Sequence, residues 1–152
     1  MESHHNMKHQ GIEYIITKDM PSFYDKAEKF FPAIKNIPGI VFANKPYIHV
    51  RVGRLEPDVL HHEIVHFRQQ EAVGGPDKWW DIYFNDPKQR FNWELEAYQA
   101  QYKYILIQYS KREHWPRLKF MAENLVKIYK TGINLQQAMK MISDPSYPQE
   151  NL

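Results

Sequence analysis

Apolar positions change their period near the middle of the chain. Before Gly53 they follow strand patterns. "IEYIIT" (residues 12–17) and "GIVFAN" (residues 39–44) are short runs rich in β-branched and aromatic residues. "PYIHVRVG" (residues 46–53) alternates, with Ile48, Val50 and Val52 on one side and Tyr47, His49 and Arg51 on the other. The turn residues in "ANKPY" predict that the last two runs form an antiparallel hairpin. Between the first two runs, Phe23, Ala27 and Phe30 or Phe31 recur at the spacing of a short amphipathic helix.

Beyond Gly53 the helical period takes over. Pro57 suits the first turn of a helix running through "DVLHHEIVHFRQQEAV", which Gly74, Gly75 and Pro76 bring to a stop. "DKWWDIYF" reads as a short helix or turn, with core packing as its default role and a cleft cover or docking patch as the alternative. Asp86 is placed to cap a long helix that has Pro87 at its first position and extends to about Ser110. "WPRLKFMAENLVKIYKTG" predicts another helix ending near Gly132, and "NLQQAMKMI" a last short one. The expected fold class is α+β, a small antiparallel sheet followed by a helical half. A flexible N-terminus (1–10), one domain (11–142) and a C-terminal tail (143–152) complete the organisation.

Composition narrows the function classes. The chain of 152 residues is 43% hydrophobic and 14% aromatic, which suits one globular core rather than disorder. Twenty Lys and Arg against eighteen Asp and Glu leave a net charge of +2, without the basic stripe of a nucleic-acid binder. No apolar run is long enough to cross a bilayer, and the polar opening "MESHHNMKHQ" contains no secretion signal. The expectation is a protein that stays in the cytoplasm where it is made, or enters an assembly built there. Cysteine is absent, so any metal must be held by His, Asp or Glu.

The densest chemistry lies in "HHEIVHFRQQ" (residues 61–70), where His62, Glu63 and His66 spell H-E-x-x-H. On a helix, the two histidines lie one above the other on one face and can converge on a single Zn²⁺. Glu63 lies about 100° around the helix, close to the metal without being bound to it. From there its carboxylate can take a proton from water held at the metal, the division of labour that peptide hydrolysis requires. Val59, His62, His66, Gln69 and Val73 form one stripe, while Leu60, Ile64 and Phe67 bury a neighbouring face. Imidazoles buried in this way need partners.

Zinc needs a third protein ligand, and no third histidine follows at short spacing. The acidic candidates are Glu94 and Glu96 in "NWELEAYQAQ" (residues 92–101). Packing favours Glu96, which shares its helix side with Trp93, Ala97 and Ala100, residues that include small ones permitting close approach. Glu94 points about 160° away and is left a supporting or surface role.

H-E-x-x-H followed by E-x-E-A on a second helix resembles the gluzincins, the glutamate-ligand zincins. "HEIVHFRQQ" with "ELEAYQAQ" is similar to small H-E-x-x-H-x-x-Q metallopeptidase-like proteins of bacteriophages, prophages and phage-tail-like injection systems. The resemblance covers residues 60–101. It implies Zn²⁺ held by His62, His66 and Glu96, with Glu63 as general base, and a small sheet whose edge strand lines the cleft. It also implies a peptide or protein substrate, with virion or tail proteins among the partners. Larger gluzincins carry a further subdomain that closes the cleft, and little in these residues is expected to supply one. A second expectation is therefore a structural, virion- or tail-associated interaction protein that retains a zinc-binding zincin fold.

Other residues carry weaker signals. His61 points about 100° away from His62 and is expected at the surface or beside a ligand. His4, His5 and His9 read as part of a flexible terminus. Gln69 lies on the ligand stripe and can support a ligand by hydrogen bonding. Tyr98, Tyr102, Tyr104 and His114 are each candidates for stabilising an oxyanion.

Overall fold

The computed structural model describes residues 6–51, 54–127 and 132–147. The first turn of chain is a hairpin. Strand β1 (Asn6–His9) pairs antiparallel with β2 (Ile12–Thr17) through Gln10 and Gly11, both at positive φ, the pair of conformations that a two-residue hairpin turn requires. The expectation of a flexible terminus through residue 10 is therefore corrected at β1. Its polar sequence hides a strand stabilised by pairing rather than by an apolar pattern. His4 and His5 lie outside the described residues.

After β2 the chain crosses over through helix α1 (Tyr24–Phe30) and a 3₁₀ turn at Pro32–Asn36. It then forms β3 (Val41–Asn44) and β4 (Tyr47–Val50), which make the expected antiparallel hairpin. β4 also runs parallel to β2, giving the order β1-β2-β4-β3. The sheet is thus mixed where an antiparallel one was expected, because the crossover carries α1 between two strands of the same direction. Ile48 and Val50 share the apolar cluster beneath α2 as the alternation predicts, and His49, on the other face, is buried as well. Val52 lies outside the described residues. β3 ends the sheet, and its Ala43 carbonyl accepts hydrogen bonds from Gln70 Nε2 at 2.8 Å and Trp80 Nε1 at 2.9 Å.

The helical half follows the sequence reading closely. Helix α2 (Pro57–Val73) starts on Pro57 and ends on Gly74, whose φ of 101° places it in the left-handed conformation of a helix stop. Helix α3 (Pro76–Asn85) is followed by α4 (Pro87–Gln108), where the Asp86 side chain accepts from the Gln89 N–H. Helix α5 (Lys111–Lys127) begins four residues before the expected Trp115, with Pro116 inside it. The extra turn is tolerated because Lys111, Arg112 and Pro116 are exposed, so water can serve the backbone group that proline leaves unpaired. The stretch before Gly132 lies outside the described residues. Helix α6 (Leu135–Ser143) opens with a capping box between Asn134 and Gln137.

The apolar side chains gather in three clusters. One lies between the sheet and α2, one joins α1 and β3 to α3, and one joins α4, α5 and α6. The core of this α+β domain is thus spread around α2 and α4, which pack against each other. Among the described residues no helix is long and apolar enough to cross a membrane.

Candidate metal centre

Helix α2 carries polar side chains into its most buried stretch. His62, Glu63, His66, Gln69 and Gln70 are all buried. His62 and His66 stand one helical turn apart, with ring centroids 4.8 Å from each other and Nε2 atoms separated by 3.1 Å. From α4, Glu94 brings its Oε1 to 3.2 Å from His62 Nε2 and 2.6 Å from His66 Nε2.

Glu94, and not Glu96, therefore meets the histidines. The buried side of α4 runs through Phe91, Glu94, Leu95, Tyr98, Gln101 and Ile105, a stripe at helical spacing. Glu96 falls off this stripe and is exposed, its carboxylate accepting from Gln69 Nε2 at 3.0 Å. Ala97 is itself wholly buried, one turn after Glu94, so close packing is present but does not extend to Glu96, the residue just before it. The aromatic and aliphatic residues one turn before and after Glu94 mark the inward side.

The three atoms form a triangle that a metal ion could fill. Ligands about 2.0–2.1 Å from a tetrahedral ion lie about 3.3 Å from one another. Two edges of the triangle, 3.1 and 3.2 Å, approach this value, and the third, at 2.6 Å, is contracted by the attraction between His66 and Glu94. The donor set, two imidazoles and a carboxylate, is one that could hold a metal ion.

Charge in the site is coupled. Burial pulls the His66 imidazole down, but the Glu94 carboxylate, helped by Glu63, overrides it and pushes the group up to about 9. Burial works against the Glu94 carboxylate too, yet His66 and His62 hold it well below the usual carboxylate range. Burial pushes Glu63 up, with the two histidines opposing and Glu94 reinforcing the shift.

Each site residue has a distinct environment. Glu94 Oε2 accepts from the Tyr83 hydroxyl of α3 at 2.9 Å. His62 Nδ1 lies 3.0 Å from Gln101 Oε1, and His66 Nδ1 lies 2.8 Å from Gln69 Oε1. Glu63 faces a cavity of about 40 Å³ that it lines with His62, His66 and Glu94, closed by Phe31, Phe42 and Trp80 among others. A second cavity of about 140 Å³, between residues 37–41 and α5, also borders His62 and Glu63 and is walled by Phe120 and Met121.

The remaining candidates sort by position. Tyr98 packs its ring 4.5 Å from that of His62. Tyr104 instead stacks on His61, whose Nε2 lies 3.1 Å from His9 Nε2 away from the triad. His114 meets the Tyr109 carbonyl, and Tyr102 packs into the cluster of α4, α5 and α6. "KWWDIYF" belongs to the core, with Trp79 and Tyr83 against the site. Sequence reasoning passed over Asp58, Gln101 and Tyr83. Asp58 sits one turn before His62 and Gln101 two turns after Glu94, so helical spacing could have found both.

No family model, no curated protein and no solved structure matches the chain.

Proposed function

We propose that this protein is a zinc-dependent hydrolase of the metallopeptidase type. The observation that carries the reading is the buried convergence of His62 Nε2, His66 Nε2 and Glu94 Oε1 beside a carboxylate, Glu63, that lines the same cavity. His62, His66 and Glu94 would hold the ion as three protein ligands, the number typical of a catalytic zinc site. When bound, the cation supplies Lewis-acid polarisation and makes water nucleophilic near neutral pH. Glu63, which lines the same cavity, would take the proton from the attacking water and return it to the leaving amine. His62, His66 and Glu94 hold their geometry through Gln101, Gln69 and Tyr83. The gluzincin resemblance of "HEIVH" supports the same chemistry, with Glu94 in place of the expected Glu96 as the acidic ligand. A peptide or protein substrate follows from that resemblance, with virion or tail proteins the first to test.

One observation favours a second reading. All three ligands are almost wholly buried, as closed structural zinc sites are, and the ion would then tie α2 to α4. This reading belongs to a virion- or tail-associated structural protein. Glu63→Gln separates the two. For the enzyme, the variant binds one zinc per chain like the wild type but loses peptide hydrolysis. Bound zinc with no Glu63-dependent cleavage of peptide or cell-wall substrates sinks the enzyme and favours the structural role.

A further inference from the structure

Each imidazole of the triad turns its second nitrogen onto a glutamine, and each glutamine is itself held from behind. The Gln101 side-chain amide donates to Asp58 Oδ2 at 2.8 Å. A carboxylate accepts only, so the amide must show its nitrogen to Asp58 and its oxygen to His62. The role left for His62 Nδ1 against that oxygen is donor, which leaves the lone pair on Nε2. Gln69 repeats the device. Its amide nitrogen donates to the Trp93 carbonyl at 3.1 Å and to Glu96 Oε1 at 3.0 Å, so its oxygen faces His66 Nδ1.

We infer that Asp58 and Gln101 are positioning residues that hold the proton of His62 on Nδ1, as Gln69 does for His66, so that both Nε2 atoms turn toward Glu94 and are the nitrogens offered to a divalent cation. The inference rests on the metal-site reading above. The two arms differ in strength. Asp58 is buried and held in turn by the Tyr109 hydroxyl at 3.1 Å, with Arg117 at 3.8 Å. Among the described residues it is the acceptor that orients Gln101. Glu96 is exposed, and its part is duplicated by the Trp93 carbonyl, which no side-chain substitution removes. Asp58 is therefore required and Glu96 dispensable, although both are acids that orient a glutamine.

The test measures zinc affinity by chelator competition for the full chain and for Gln101→Leu, Asp58→Ala, Asp58→Asn and Glu96→Gln, with ¹⁵N imidazole spectra of the zinc-loaded protein. Q101L and D58A are expected to weaken zinc binding about 10–100-fold, the usual cost of losing a group that orients a ligand. D58N rescues most of this loss, because a carboxamide oxygen still accepts from Gln101 while its nitrogen turns to the Tyr109 hydroxyl. E96Q stays within about threefold of the wild type. The spectra place the proton on Nδ1 and the metal on Nε2 of both histidines. If D58A fails to fold, the near-isosteric Q101L decides. Zinc affinity of Q101L within about threefold of wild type, or coordination of His62 through Nδ1, overturns the inference and leaves the metal site standing. A wild-type chain that binds no zinc overturns the metal site itself.

Discussion

Glu94 Oε1 lies 2.6 Å from His66 Nε2, and both side chains are buried. Whatever occupies that gap sets the charge balance of the centre. A proton makes a buried ion pair, and a divalent cation must displace that proton to bind.

Metal affinity should therefore depend on pH in a defined way. His66 is pushed up to about 9, so below that pH each binding event releases its proton. Apparent zinc affinity is expected to rise about tenfold per pH unit between about pH 7 and 8.5 and to level off near 9. Chelator competition across this range checks it. A flat profile would show that His66 carries no proton in the metal-free protein.

The metal-free protein should show the opposite trend in stability. His66 is raised from 6.5, so its contribution is complete below 6.5 and is lost as pH climbs through about 9. Glu94 is depressed from 4.5, so its contribution is present above 4.5 and is lost on acidification through its lowered value. Glu63 is raised, which adds a cost once pH passes 4.5. Maximum Tm is expected on the acid side of neutrality, with a decline between 6.5 and 9 that zinc abolishes. Thermal melts with and without chelator measure both limbs.

Two glutamates two positions apart should behave very differently. Glu94→Ala removes a ligand and is expected to weaken zinc binding by more than about 100-fold, beyond the cost of losing a supporting group. It also breaks a buried pair, at about 3–5 kcal/mol in the metal-free protein. Glu96→Ala removes an exposed side chain and should change stability by no more than about 0.5 kcal/mol. Equal zinc losses in the two variants would count against Glu94 as the ligand.

Tyr83→Phe tests the support of Glu94 from α3. The substitution leaves a buried carboxylate oxygen without its donor, at an expected cost of about 1–3 kcal/mol, seen as a lower urea midpoint at unchanged slope. No change in midpoint would mean that the hydroxyl is replaced by another donor.

The sequence made the two-histidine turn, the helix starts at Pro57 and Pro87 and the stop at Gly74 plain, because each depends on local geometry. It was less informative where a long-range partner decides. β1 is polar and becomes a strand only beside β2, and the direction of β4 relative to β2 follows from the crossover. The choice between Glu94 and Glu96 shows the same limit. Small Ala97 does lie on the inward side with Phe91, Tyr98 and Ile105, but that side takes in Glu94, one turn before it, and not Glu96. Of the two glutamine arms, Gln69 is legible from the ligand stripe, and spacing puts Asp58 and Gln101 on the right helix faces without pairing them. Gln101 reaches His62 and Asp58 from another helix, 39 and 43 residues away, which a reading by helical turns within one segment does not connect.

The double hydrogen bond to the Ala43 carbonyl has a consequence for crowding in the cell. A last strand normally offers free backbone groups to any extended chain that drifts alongside. Here the rim of β3 is plugged at Ala43 by an indole and a carboxamide from the protein's own helices. A neighbouring copy would have to break both bonds before it could stack, so this border resists the edge-to-edge growth that leads to fibres.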